Sequence, residues 1–116
     1  EGDIHRRDWT WIWRGDAVDL ALLAMAHKLG RTREASLSNH PQVNELPFEP
    51  ERQFAATYHR LNDSIEVFVK GAPEKVLAMC DWDDPEREDG LEQHVAEMLR
   101  IAESMGEQGY RVLALA

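Results

Sequence analysis

Cysteine is almost missing from this chain of 116 residues: Cys80 stands alone, so no disulfide can close within it, which suits a reducing compartment. Long apolar runs are missing too. The longest, Leu20 to Ala26, falls far short of the about 20 residues that a membrane-spanning helix needs. No basic segment with an apolar one behind it opens the chain, so nothing reads as a secretory signal. Positive charge is scarce: 13 Lys and Arg against 22 Asp and Glu leave a formal net charge of −9. Nucleic-acid backbones are bound by positive charge, and this balance argues against DNA or RNA as partners. An anionic ligand would have to be held by individually placed cations within a repulsive field.

Motifs for self-contained catalysis are also absent. No Gly-x-x-x-x-Gly-Lys-Ser/Thr phosphate loop occurs, and the late pair Gly106 and Gly109 cannot form a dinucleotide fingerprint. The histidines (His5, His27, His40, His59, His94) show no His-Glu-x-x-His spacing, and a single cysteine argues against a structural zinc site. The acidic run "DWDDPEREDGLE" has the charge of a calcium loop, but Glu86 stands where the sharp turn requires glycine, so it reads as a solvated loop. Arg14-Gly15-Asp16 resembles an adhesion tripeptide, too short a match to carry weight. No nucleophile-elbow sequence supports a Ser/His/Asp triad.

What remains is a chain long enough for one hydrophobic core and too short for two. Apolar content of 43% with 30% charged residues places it among ordinary soluble globular proteins rather than disordered ones. It lacks an initiator Met and stops on the apolar, β-prone "GYRVLALA", so we expect a single domain, residues 1–116, excised from a longer chain. "WTWIW" (9–13) alternates like a strand. A helix is expected over about 17–29, with Asp16 as N-cap, Asp19 in its first turn and Gly30 as the stop. Residues 31–45 read as loop with a helical turn. "QFAATYHRL" and "SIEVFVK", joined at Asn62-Asp63, form a hairpin. Pro73 starts a short helix to about Met79, and apolar Leu91, Val95, Met98, Ala102 and Met105 recur at helical spacing up to a stop at Gly106 and Gly109. "YRVLALA" is a last strand. The order predicts an α+β fold, an antiparallel sheet covered by helices.

Four segments gain meaning together: "GDAVDLALL", "LPFEPERQF", "VKGAPE" and "GYRVLALA". Taken singly, each has a plain structural account. Asp16 and Asp19 make a capping arrangement, Phe48 a core residue, Lys70 a wet strand end and Arg111 a surface charge. In order and spacing, however, the set resembles the nucleotide-binding domain of the P-type cation-transporting ATPases. There, Gly-Asp/Glu-x-x-Glu-x-Ala-Leu, Pro-Phe-x-x-x-Arg-Lys, Lys-Gly-Ala-Pro-Glu and Gly-x-Arg-x-Leu-Ala follow one another. Here they read Gly15-Asp16 to Asp19-Leu20-Ala21-Leu22, Pro47-Phe48 to Glu51-Arg52, Lys70-Gly71-Ala72-Pro73-Glu74, and Gly109-Tyr110-Arg111-Val112-Leu113-Ala114. The Lys-Gly-Ala-Pro-Glu block is the most specific, and it points to the calcium, sodium/potassium, proton or magnesium pump branches.

The resemblance implies a nucleotide site made by Asp19, Phe48, Arg52, Gln53, Lys70, Gly71, Arg111 and Leu113. Phe48 would stack on adenine, and Lys70 would lie deep in the same pocket. Asp19 would accept from the adenine amino group, favouring ATP over GTP because guanine presents a carbonyl there. Leu113 would pack on the base, Arg111 would reach the phosphates, and Gly71 would let backbone approach closely. Asp19 replaces the family's usual Glu and is one methylene shorter. Gln53 replaces a common Lys, removing one cation from the phosphate end. Stacking of about 1–3 kcal/mol with two or three hydrogen bonds of about 1 each gives roughly 4–6 kcal/mol, a dissociation constant between about 1 mM and some tens of μM.

By the same resemblance the ligand is ATP, with magnesium only in the intact pump, and the partners are phosphorylation and actuator domains of one parent chain. The parent would sit in the cell membrane with this domain on the cytoplasmic side, itself soluble and monomeric. The Asp-Lys-Thr-Gly-Thr motif that accepts the γ-phosphate is absent, so the chain is expected to bind ATP and not to hydrolyse it. Two other readings predict different behaviour: a free-standing ATP-sensing regulatory domain, and an acidic protein-interaction module without nucleotide.

Overall fold

The computed structural model describes residues 3–81 and 91–116. The acidic run from position 82 to 90 lies outside the described residues. The chain divides into two compact units, Glu1–Pro41 and Gln42–Ala116.

In the first unit, β1 (Asp3–Arg7) and β2 (Thr10–Arg14) pair antiparallel, with Asp3 opposite Arg14 and Arg7 opposite Thr10. Their connection is Asp8-Trp9, both at positive φ (47° and 72°), the conformation that two-residue hairpins demand. Helix α1 (Ala17–Lys28) begins where expected, the Asp16 carboxylate accepting from Val18 N–H at 2.8 Å. It ends on Gly30 at φ 72°, with Gly30 N–H on His27 O (2.9 Å) and Arg31 N–H on Ala26 O (2.9 Å). That paired closure satisfies two carbonyls the helix would leave orphaned, and glycine permits it. The loop expected over 31–45 holds more order than a helical turn: α2 (Arg33–Asn39), capped by Thr32 Oγ1 accepting from Ala35 N–H at 3.3 Å.

The second unit is the expected α+β arrangement. Strands β3 (Gln42–Leu46), β4 (Phe54–Leu61), β5 (Ser64–Gly71) and β6 (Ala114–Leu115) form an open antiparallel sheet in that order. The β4–β5 hairpin runs from Leu61 opposite Ser64 to Phe54 opposite Gly71, and Asn62 takes φ 53° at the turn. Pro73 opens α3 (Pro73–Leu77), which packs on β5, β6 and α4 (Leu91–Glu107). Helix α4 runs through Gly106 and stops at Gly109 (φ 88°), where Tyr110 N–H reaches Met105 O (3.1 Å) and Gly109 N–H reaches Gly106 O (2.9 Å). The last strand is shorter than "YRVLALA": residues 110–113 are irregular and only Ala114–Leu115 pair, extended by a reciprocal bond pair between Ala116 and Val69 (2.7 and 3.0 Å).

Among the described residues the buried apolar side chains are Ala56 on β4 and, fully enclosed, Val76 on α3. Cross-strand partners share a face, so Ala56, Val69 and Gly71 lie on one side of the sheet. Ala55, Thr57, Phe68, Lys70 and Leu115 lie on the other. No described helix is long and apolar enough to cross a membrane.

Candidate functional site

The turn between β3 and β4 is built by proline and a shared carbonyl. Pro50 presets its own φ, and Glu49 O accepts both Arg52 N–H (3.1 Å) and Gln53 N–H (2.8 Å). Gln53 ends the turn at φ 61°, left-handed backbone that costs a side-chain-bearing residue roughly 1–2 kcal/mol. The conformation is held because Gln53 O accepts Ala72 N–H at 2.9 Å, tying the turn to the end of β5. Arg52 fastens the turn from the side-chain end. Its Nη2 donates to Pro47 O (3.3 Å) and pairs with Glu49 Oε2 (2.9 Å), and its guanidinium carbon lies 6.0 Å from the Phe54 ring centroid. Phe48 sits between the two residues so tied and leaves 58% of its surface open. An exposed aromatic ring on a turn whose flanking residues are fastened is a ready platform for another π face.

The sheet face carrying Lys70 holds a groove of about 330 Å³, whose lining includes none of Phe48, Arg52, Gln53, Arg111 or Leu113. Ala55, Thr57, Phe68, Lys70 and Leu115 line it, with Ala56, Val69 and Ala116 completing it. Lys70 is half-buried there, opposite Ala55 and Leu115. At the groove's other end the His59 ring meets Phe68 edge-on (centroids 5.2 Å apart, planes at 78°), and His59 Nε2 hydrogen-bonds Thr57 Oγ1 at 2.9 Å. Apolar walls with one cation and a hydroxyl are the makings of a small-molecule site.

Gly71 faces the opposite side, where its lack of a side chain serves packing. A Cβ there would lie 2.5 Å from both Gln53 O and Phe54 Cβ. The close approach that glycine permits is therefore between β5 and the Phe48 turn. Leu113 is half-buried and Arg111 exposed on the irregular segment leading to β6, whose Leu115 is Lys70's partner. Thus Phe48, Arg52, Gln53, Lys70, Gly71, Arg111 and Leu113 all belong to the second unit, and the turn, the end of β5 and β6 are joined by hydrogen bonds. Asp19 belongs to the first unit, partly buried in the first turn of α1.

The family model described as the P-type ATPase cytoplasmic domain N matches residues 2–116. The chain belongs to this family. Among curated proteins, this N domain is 36% identical over 114 residues to "Cation-transporting ATPase pma1" of Synechocystis sp., which covers 97% of the chain and 12% of that relative. It is 38% identical over 111 residues to "Probable cation-transporting ATPase F" of Mycobacterium tuberculosis, covering 93% of the chain and 12% of the relative. It is 29% identical over 104 residues to "Calcium-transporting ATPase 1" of Bacillus cereus, covering 88% and 12%. The chain thus spans about one eighth of the length of these relatives, at 12% of each.

Sequence reasoning passed over Phe68, Thr57, His59 and Glu49 in this N domain. The period-2 alternation of "SIEVFVK" puts Phe68 on the same face as Lys70 and could have disclosed it. The pairing of Glu49 with Arg52 had no comparable signal. On α4, the hydrogen bonds from Arg100 hold the Glu97 carboxyl below its ordinary value, and the carboxylate in turn raises the guanidinium. Among the described residues no group of three or more His, Cys, Asp or Glu is gathered to hold a metal ion.

Proposed function

We propose that this N domain holds ATP by its adenine and, within a longer cation pump, presents the γ-phosphate to an aspartate on another domain. The observation that supports this best is the Phe48 turn, fixed with its ring exposed and bonded to the end of the strand that carries Lys70. Adenine stacks on Phe48, a contact worth about 1–3 kcal/mol. Lys70 donates to the nucleotide from the groove and offsets its negative charge, which matters in a chain of net charge −9. Leu113 adds apolar contact, Arg111 approaches the phosphates, and Gln53 stands at the phosphate end of the turn. Gly71 acts indirectly, by letting the turn sit against β5. By the family resemblance, the adenine amino group, and with it the preference for ATP over GTP, falls to Asp19.

Transfer needs the nucleotide held in line with its acceptor, so the contribution of this domain is placement rather than bond breaking. The chain binds ATP without turning it over. The phosphorylation and actuator domains of the parent supply the acceptor and hydrolysis, and its membrane segments choose the cation. In that parent the domain faces the cytoplasm.

The test is a titration of the isotope-labelled chain with ATP and then GTP, followed by two-dimensional amide NMR. Fast-exchange shifts centred on Asp19, Phe48, Lys70 and Arg111, larger with ATP, are expected. No shifts at several millimolar ATP would refute the reading and bring forward an interaction module that uses no nucleotide.

A further inference from the structure

Resting on the nucleotide reading, we infer that Arg52 is a positioning residue: its guanidinium holds the Phe48 ring ready for a base and does not bind phosphate. The side chain is already committed. Nη2 is bonded to Pro47 O at 3.3 Å and ion-paired with Glu49 at 2.9 Å, the two residues that flank Phe48. Nε is buried without a hydrogen-bond partner, so that edge of the guanidinium points into protein. Its plane lies by the ring of Phe54, the first residue of β4, with the central carbon 6.0 Å from the ring centroid. Only 28% of the Arg52 side chain is exposed. To bring Nη2 to a phosphate it would have to abandon the Pro47 carbonyl and the Glu49 carboxylate together, loosening the turn that presents Phe48. The guanidinium also lies by the Phe54 ring, a contact that lysine's compact ammonium reproduces less well. Holding the ring before the ligand arrives lowers the ordering cost of binding.

The test compares adenosine with ATP on Arg52→Gln, Arg52→Lys and Glu49→Gln, each variant first checked for a dispersed native amide spectrum. Arg52→Gln should weaken adenosine and ATP by the same factor, about fivefold, because only the base platform is disturbed. Arg52→Lys should fail to restore the loss. Glu49→Gln, which slackens the staple while leaving the arginine in place, should weaken both ligands about twofold. In the ligand-free chain, the ring signals of Phe48 should move toward free-phenylalanine values in Arg52→Gln. A loss confined to ATP with adenosine unchanged would overturn the inference and make Arg52 a phosphate ligand. So would tighter ATP binding in Glu49→Gln, the result expected if that carboxylate merely withholds Arg52 from the phosphates. The ring signals need no nucleotide. If they respond while the unaltered chain binds neither adenosine nor ATP, the staple stands and it is the nucleotide reading that falls.

Discussion

Adding one methyl group at Gly71 tests how the Phe48 turn is seated. Alanine's Cβ would lie 2.5 Å from Gln53 O, 2.5 Å from Phe54 Cβ and 2.8 Å from Phe54 Cα. None of these is the end of a flexible side chain, so the end of β5 and the start of β4 must part. Overpacking of this kind costs about 1–3 kcal/mol. Parting the strands also strains the Ala72 N–H to Gln53 O bond of 2.9 Å, adding about 1 kcal/mol. Against this, replacing glycine stiffens the unfolded chain and returns about 0.4–1 kcal/mol. The net is a loss of about 1–3.6 kcal/mol, or a fall in melting temperature of about 4–15 °C for a domain of this size. Gly106 supplies the control: it lies inside α4, and a methyl group there would meet nothing within 4 Å. Its change to alanine should stabilise by about 0.5–1 kcal/mol. Thermal melts followed by circular dichroism would read both variants. Equal shifts, or a Gly71→Ala variant as stable as the unaltered chain, would refute the close seating of the turn on β5.

Phe48→Ala should weaken ATP by about 5- to 160-fold through lost stacking, and Lys70→Ala by about tenfold or more through a lost charge-assisted bond; calorimetric titration of correctly folded variants would show it. Asp19→Ala should bring the ATP and GTP affinities together by about fivefold, the worth of one hydrogen bond, and an unchanged ratio would count against that contact. Gln53→Lys should tighten ATP by about two- to fivefold, as an exposed cation near phosphate would, whereas a loss would mean that position 53 does not face the phosphates. On α4, the folded-state value of Glu97 is depressed by Arg100, so this pair's stabilisation is present above the ordinary carboxylate value and lost as pH falls through the depressed one. Urea midpoints of Arg100→Gln and the unaltered chain should therefore differ slightly near neutral pH and converge in acid, and a gap that widened in acid would contradict the assignment.

Local chemistry made some of this legible in the sequence alone. Asp16 and Gly30 bound α1 because an N-cap carboxylate and a left-handed glycine act within one turn of the helix. Pro73 and the Asn62-Asp63 turn likewise declare themselves. Gly106 misled as a stop: in a helix interior it costs only about 1 kcal/mol, and Gly109 provides the actual closure. Strands β1 and β3 escaped notice because "DIHRR" and "QVNEL" are polar, edge-like segments whose pairing comes from a neighbouring strand rather than from their own pattern. The last strand was overestimated because apolar, β-prone composition cannot say how many residues find a partner. The site divides the same way. Phe48, Lys70 and Arg111 stand out by motif, but the fastening of the turn by Arg52, Glu49 and Gln53 depends on contacts that spacing does not encode.

Lys70 lies on an interior strand, opposite Ala55 on one side and Leu115 on the other, and that bears on how long a ligand stays. Backbone bonded on both flanks need not open for entry or departure, so the visit is timed by the contacts themselves. With association on the order of 10⁶ M⁻¹ s⁻¹ and a dissociation constant between about 1 mM and some tens of μM, a nucleotide would remain for roughly 1 to some tens of milliseconds. On the proposed reading, such a lifetime would leave time for a neighbouring domain to approach and would let the spent nucleotide go without a separate opening step.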